Sequence, residues 1–300
     1  SYLQTLLEGQ NKRIVPFEID PREMVIPGDC DVLLVAGPEI DLTSGEYSAI
    51  DRYLIGGGKA IFLLDNDKAP GLARWLRRYG FRLQDDLLVE LEQSLQITSQ
   101  GLQPVTTLNL AVRMELRDHE ITRELMDKRM YAIEARSVTL EDPLPEGLTA
   151  AILADSSSNS WAELHPEYDN LEEAKFDEGV ELQGPVPMGA VVSGTFALAL
   201  GIPSATEAAE GTVIAFGDSD FASDRTYGRS YGLNFLVNMI NYLTEETELI
   251  SIPPKTRADM PDVRMTGARW GQLLLASFVL LPGAVLLAGL GTYLRRRRSR

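Results

Sequence analysis

Cysteine and histidine are almost missing from this 300-residue chain. Cys30 is the only cysteine, which excludes an internal disulfide framework and any multi-cysteine metal cage. The two histidines, His119 and His165, stand 46 positions apart, so a histidine-rich metal site is not expected. Basic residues are also scarce: 28 Lys and Arg face 44 Asp and Glu, a net charge of −16. A surface of that sign is repelled by nucleic acid and by anionic lipid headgroups, and no nucleic-acid partner is expected.

A phosphate loop is missing too, although "DRYLIGGGKAIFLLDND" (Asp51 to Asp67) suggests one. Phosphate binding needs a strand, then a glycine loop, then a helix whose first amides face the ligand. Here the order is reversed. Thr43–Ile55 has Tyr47, Ile50, Tyr53 and Leu54 at helical spacing, with Thr43 or Ser44 before Glu46 as a capping region. "AIFLLD" (Ala60–Asp65) then reads as a buried strand. Gly56, Gly57 and Gly58 therefore stop a helix, and no Ser or Thr follows Lys59 to hold magnesium. No nucleotide or other cofactor is expected.

What the chain does contain is one long apolar run. Gly271 to Leu294 is 24 residues without a charge. As a helix it would extend about 36 Å, enough for a bilayer core of about 30 Å. Trp270 and Tyr293 stand at its ends, where aromatic rings favour the interface. Pro282 falls in the middle, where membrane helices tolerate it. Arg295, Arg296, Arg297 and Arg298 follow in a basic tail that should stay cytoplasmic. The rest of the chain has 23 basic against 44 acidic residues and is expected on the periplasmic, extracytoplasmic side of a bacterial inner membrane.

Upstream, strand and helix signals alternate. "RIVPFEI" (Arg13–Ile19), "DVLLVAGP" (Asp31–Pro38) and "AIFLLD" read as strands, and "GLARWLRRYG" (Gly71–Gly80) as a short helix closed by glycine. From about Leu91 to Gln183 the signals are mixed. The rhythm returns with "MGAVVSGTFALAL", "GTVIAFGDSDFAS" (Gly211–Ser223) and the helix "GLNFLVNMINYLTEE", whose Leu233, Leu236, Val237 and Ile240 share a face. The expected fold is α/β, a mostly parallel sheet with helices on both faces. Its domain is placed at 1–250 with 91–183 inserted, followed by a linker (251–269), a membrane helix (270–294) and the tail (295–300).

Candidate chemistry is sparse. Asp218, Ser219 and Asp220 follow a predicted parallel strand, where ligands of open α/β sheets bind. They hold a cation or contact a ligand in one reading; in the other they serve turns and helix starts. In "SSSNSWAEL", Ser160 and Trp161 either sit on a loop shown to a partner or pack on their own sheet. Cys30 precedes its strand and has no evident base, so it reads as a structural thiol. No catalytic residue and no metal ligand is assigned.

Several stretches occur together and in order: "VIPGDCDVLLVAGPEIDLTSGEYSAIDRYLIGGGKAIFLLDND", "HEITRELM", "EARSV", "SSSNSWAEL" and "IAFGDSDFASD", ahead of the terminal apolar run. Across nearly its whole length the chain resembles the GldG-like auxiliary component of gliding-motility-type ABC transporters. The resemblance implies a glutamine-amidotransferase-like α/β sandwich without the catalytic residues of those enzymes. It also implies an accessory subunit beside a separate permease and a cytoplasmic ATPase. Members of the family usually carry further sequence and another membrane helix ahead of this region, so the natural protein is expected to begin before Ser1. Two rivals are a free-standing anchored ligand-binding protein and an anchored hydrolase or amidotransferase. The last would need a histidine beside Cys30 or Ser219.

Overall fold

A computed structural model of the protein describes residues 2–20, 22–98, 101–164, 174–202, 209–226, 230–245 and 282. The described residues within 1–92 and 107–260 make one compact unit, and those within 93–106 and 261–300 fall in a second. The first unit begins with helix α1 (Tyr2–Glu8), strand β1 (Leu33–Ala36), α2 (Ser44–Ile55), β2 (Lys59–Leu63), α3 (Pro70–Leu76) and β3 (Phe81–Leu83). β4 (Asp86–Thr98) and β5 (Gly101–Asn109) are neighbours in a sheet, and their far ends, 93–98 and 101–106, are the described strands of the second unit. Then come β6 (Ala111–Leu116), β7 (Met130–Ile133), β8 (Val138–Leu140), β9 (Leu148–Ser156) and β10 (Ser160–Leu164). The remainder is β11 (Leu182–Gln183), β12 (Pro187–Gly194), α4 (Phe196–Ala199), β13 (Gly211–Phe216) and α5 (Gly232–Leu243).

Local signals account for many of these elements. Thr43 caps α2 in a reciprocal box: its Oγ1 accepts from Glu46 N, and its own N–H donates to Glu46 Oε2 at 2.7 Å. Gly56 closes the helix and Gly57 takes φ +89°, so the glycine run turns a helix into a strand. Lys59 points to Glu245, Nζ to Oε1 2.8 Å. In β2 and the residue after it successive side chains feed opposite faces: Ile61 and Leu63 join one core, Ala60, Phe62 and Leu64 the other. β13 does the same with Ile214 and Phe216 against Val213 and Ala215.

The principal sheet has seven strands in the order β1-β2-β13-β12-β9-β6-β7. α1 and α5 supply the core on one face, α2, α3 and α4 the core on the other. The expected α/β layering therefore holds. The expected mostly parallel sheet does not: only β1–β2 and β2–β13 pair parallel, and the next four pairings are antiparallel. A strand buried on both faces, such as β12, has an apolar sequence whichever way it runs. The stretch expected as an insertion, 91–183, supplies β6, β7 and β9 to this same sheet. A second sheet has the order β11-β10-β4-β5, and β3 pairs with β8 separately.

Arg13–Ile19 forms no strand: among the described residues it pairs with nothing in a sheet. Among the described residues no helix is long and apolar enough to cross a membrane. The expected span 270–294, with Trp270, Tyr293 and the arginines Arg295 to Arg298, lies outside them except for Pro282, which is helical.

Candidate functional site

The three parallel strands β1, β2 and β13 end at one edge of the sheet, and their following turns hold the polar residues of interest. The helix after β2, α3, packs on one face, whereas α5 after β13 packs on the other. The junction of β2 and β13 is thus a topological switch point, the position where open α/β sheets form a ligand crevice.

Here that crevice is stapled by protein groups. Asp65, just past β2, accepts from Ser219 twice, from its N–H at 2.6 Å and from its Oγ at 2.9 Å. Gly37, just past β1, lies so close that a Cβ there would sit 2.9 Å from Ser219 Oγ and 3.3 Å from Asp65 Oδ2.

Asp218 turns inward. It is 1% exposed, and its carboxylate accepts the N–H of Ile133 at 2.9 Å, of Asp220 at 2.7 Å and of Phe221 at 3.1 Å. Ile133 belongs to β7, at the opposite edge of the sheet from β1. The sheet between β13 and β7 curls so far that the turn after β13 clasps β7 directly. A main-chain bond beside it, Arg136 N–H to Gly217 O at 2.8 Å, strengthens the clasp. Gly217 makes this approach possible: a Cβ there would be 3.0 Å from Arg136 C and 3.1 Å from Arg136 Cγ, and would collide with Arg136 O. Burial pushes the Asp218 carboxyl up to about 7 against the pull of the Ile133 and Asp220 amides, and the Asp65 and Asp220 charges push the same way.

The strand after the clasp is stitched to the second sheet. Asp86, buried at the start of β4, accepts from Ser137 N at 2.7 Å and Ser137 Oγ at 2.6 Å. Burial raises its carboxyl above the ordinary range. The guanidinium of Arg136, itself buried, donates through Nε and Nη2 to the carbonyl of Gln84. Asp65, Asp86, Arg136 and Gly217 were not singled out in the sequence. Asp65 has a signal like that of Asp218, an acid at the end of a buried apolar run.

Of the predicted site residues, the structure brings Asp218 and Ser219 together at the switch point and leaves Asp220 exposed beside them. Among the described residues no group of three or more His, Cys, Asp or Glu is arranged to hold a metal ion. Ser160 and Trp161 lie elsewhere, where the chain passes from β9 in one sheet to β10 in the other. Ser160 Oγ is 2.6 Å from Ser156 Oγ, whose oxygen also accepts Val186 N–H at 2.8 Å. Trp161 is 4% exposed and packs with Leu87 and Val89, its indole N–H bonded to Glu163 at 2.8 Å. It is a strand residue covered by its own sheet, not one displayed on a loop.

Cys30 is half-buried, and burial pushes its thiol up, away from the reactive thiolate. His119 meets Tyr242 edge to face, the ring centroids 5.3 Å apart, and its Nδ1 accepts Ile121 N–H at 3.2 Å. Burial lowers its pKa. His165 lies outside the described residues.

No curated protein matches the chain. The solved structure titled "mmIFT52 N-terminal domain" is similar at 15% identity, over 81% of this chain and 90% of that one, with a TM-score of 0.49. The family model described as "ABC-type uncharacterized transport system" matches residues 1–242. With four-fifths of its length inside that match, the chain belongs to the family of auxiliary components of ABC-type transport systems.

Proposed function

We propose that the chain is a non-catalytic accessory subunit of an ABC transporter. The α/β body stands on the extracytoplasmic side of the inner membrane, held beside the permease by the segment 270–294. ATP-driven change in the permease, powered by a separate cytoplasmic ATPase, moves the body and so couples transport to a substrate or an envelope partner. The observation that carries the non-catalytic part is the stapled switch point. Both oxygens of Asp65 serve Ser219, and Asp218 serves three main-chain amides, so the acids at the usual ligand position support folded loops. The parallel trio β1-β2-β13, with helices on both faces, supports the finer kinship with an amidotransferase-like sandwich.

The test is purification of the full-length protein from its native membrane in mild detergent, with mass spectrometry of what remains bound. A permease and an ATPase at fixed ratio are expected. Recovery of the chain alone, under conditions that keep other ABC complexes intact, would overturn the reading in favour of a free-standing anchored binding protein.

A further inference from the structure

Strand β4 outruns its neighbour β10. β10 pairs with Asp86 to Glu90, and one residue further on Leu91 N–H still donates to Asn159 O at 3.1 Å. From Gln93 to Thr98, β4 keeps β5 on one side, and among the described residues no strand lies on the other. Along a strand the N–H and C=O groups of successive residues face alternate sides. Leu91 faces the β10 side, so Gln93, Leu95 and Ile97 face that side too, past the end of β10. A two-stranded ribbon is marginal in water by itself, and an unpaired row of main-chain groups is a template for another strand.

We propose that two copies of the chain pair here, β4 against β4, antiparallel about Leu95. The absence of charge selects the occupant. Gln93 to Val112 is 20 residues without an acid or a base, in a chain of net charge −16. Two bodies of that charge repel, and they meet at low electrostatic cost where neither brings a charge. A basic partner would be drawn to acids, which this edge does not offer. A bilayer would be met by aromatic and basic residues, and the stretch has none. The other edge of the ribbon is blunted, because Pro104 in β5 has no N–H to give.

The limits of the edge set the register. Leu91 N–H is taken by Asn159 and the strand ends at Thr98, which leaves Gln93, Leu95 and Ile97 to pair outward. A two-fold axis at Leu95 puts Leu95 opposite Leu95 and Gln93 opposite Ile97, so each of these residues meets a mate on the second copy. An axis at Gln93 would set Leu95 against Leu91, already bonded. An axis at Ile97 would set Leu95 against residue 99, beyond the strand. By alternation Leu95 and Ile97 stand on the same face of β4 as Leu87 and Val89, so the pairing joins two apolar faces side by side. Glu92, the nearest charge, falls opposite Thr98.

The proposal is independent of the transporter reading and has a separate readout. Sedimentation equilibrium of the full chain in detergent should show a monomer–dimer equilibrium. Leu95→Lys and Leu95→Glu each set like charges opposite one another, and each should raise the dimer dissociation constant about tenfold. An equal mixture of the two proteins should form mixed dimers with a constant within about threefold of wild type, because residue 95 meets residue 95. Leu95→Pro removes the central outward N–H and spares the N–H groups of Ser94 and Gln96, which face β5. It should abolish the dimer and leave the melting temperature of the monomer within about 2 °C of wild type. A chain that stays monomeric at every concentration overturns the proposal. So does a dimer indifferent to these substitutions, or a mixture no tighter than either variant alone. Loss of a co-purifying protein in the variants, with self-association unaltered, also overturns it and assigns the edge to a heterologous partner.

Discussion

Replacing Asp218 tests whether the acid at the switch point is a clasp or a ligand residue held at a cost. Asp218→Ala removes the acceptor of the Ile133, Asp220 and Phe221 amides together. Asp220 is exposed and water can take its amide, so the loss falls on Ile133 and Phe221. At about 1–3 kcal/mol for each unmet buried amide, the variant should lose about 2–6 kcal/mol. For a fold of this size that corresponds to a drop in melting temperature of about 4–24 °C. Asp218→Asn keeps one acceptor oxygen but turns an NH2 toward a donor, and should fall between Ala and wild type.

The effect depends on pH, with a definite sign. The folded-state pKa of about 7 lies above the unfolded value of about 3.9, so the native state holds the extra proton between them. The stability this group contributes is complete below about pH 4 and is lost as pH rises through about 7. The wild type should therefore lose its advantage over Asp218→Asn as pH rises from 5 to 8.5. The assay is thermal unfolding of the full chain in detergent at both pH values. A melting temperature at pH 5 within about 2 °C of wild type for Asp218→Ala, or a rise, would refute the clasp. A rise is what an acid kept for function at the expense of stability would give.

Three further outcomes are expected. Gly217→Ala drives a methyl into the Arg136 carbonyl and should destabilise by more than about 3 kcal/mol in urea unfolding, with no compensating relaxation available to a main-chain clash. Trp161→Ala should cost about 3–5 kcal/mol through the cavity it leaves beside Leu87 and Val89; unchanged stability with a lost partner would instead favour a display role. Cys30 should react with a thiol reagent at pH 7.5 at least about tenfold more slowly than free cysteine until denaturant is added, because burial disfavours its thiolate.

The elements that could be read from the sequence are those whose cause is local. Thr43 and Glu46 three residues apart, and glycines after Ile55, mark both ends of α2 without reference to the rest of the chain. Runs such as 211–216 announce buried strands, and the ordered family stretches announce the transport-system family. Strand direction was not legible, because apolar runs report burial on two faces and say nothing of the neighbour's sense. The serines before Trp161 read as a loop, yet Ser156, Ser157 and Ser160 bond to one another and to Glu90 at the crossing between sheets. Their polarity is spent inside the fold. Asp218 was found for its position at a strand end, but the amide of Ile133, 85 residues away in sequence, is what uses it.

The pairing of β2 with β13 also sets a timetable for the ribosome. Lys59 lies beside Thr212, so the middle of the sheet must wait for about 150 further residues before it can close, which makes this a slow, non-local folding problem. β1, β2 and their helices emerge before β13, with the main-chain edge of β2 that receives it unpaired. Until residue 211 has been made, β2 keeps an open, aggregation-prone edge where β13 will lie.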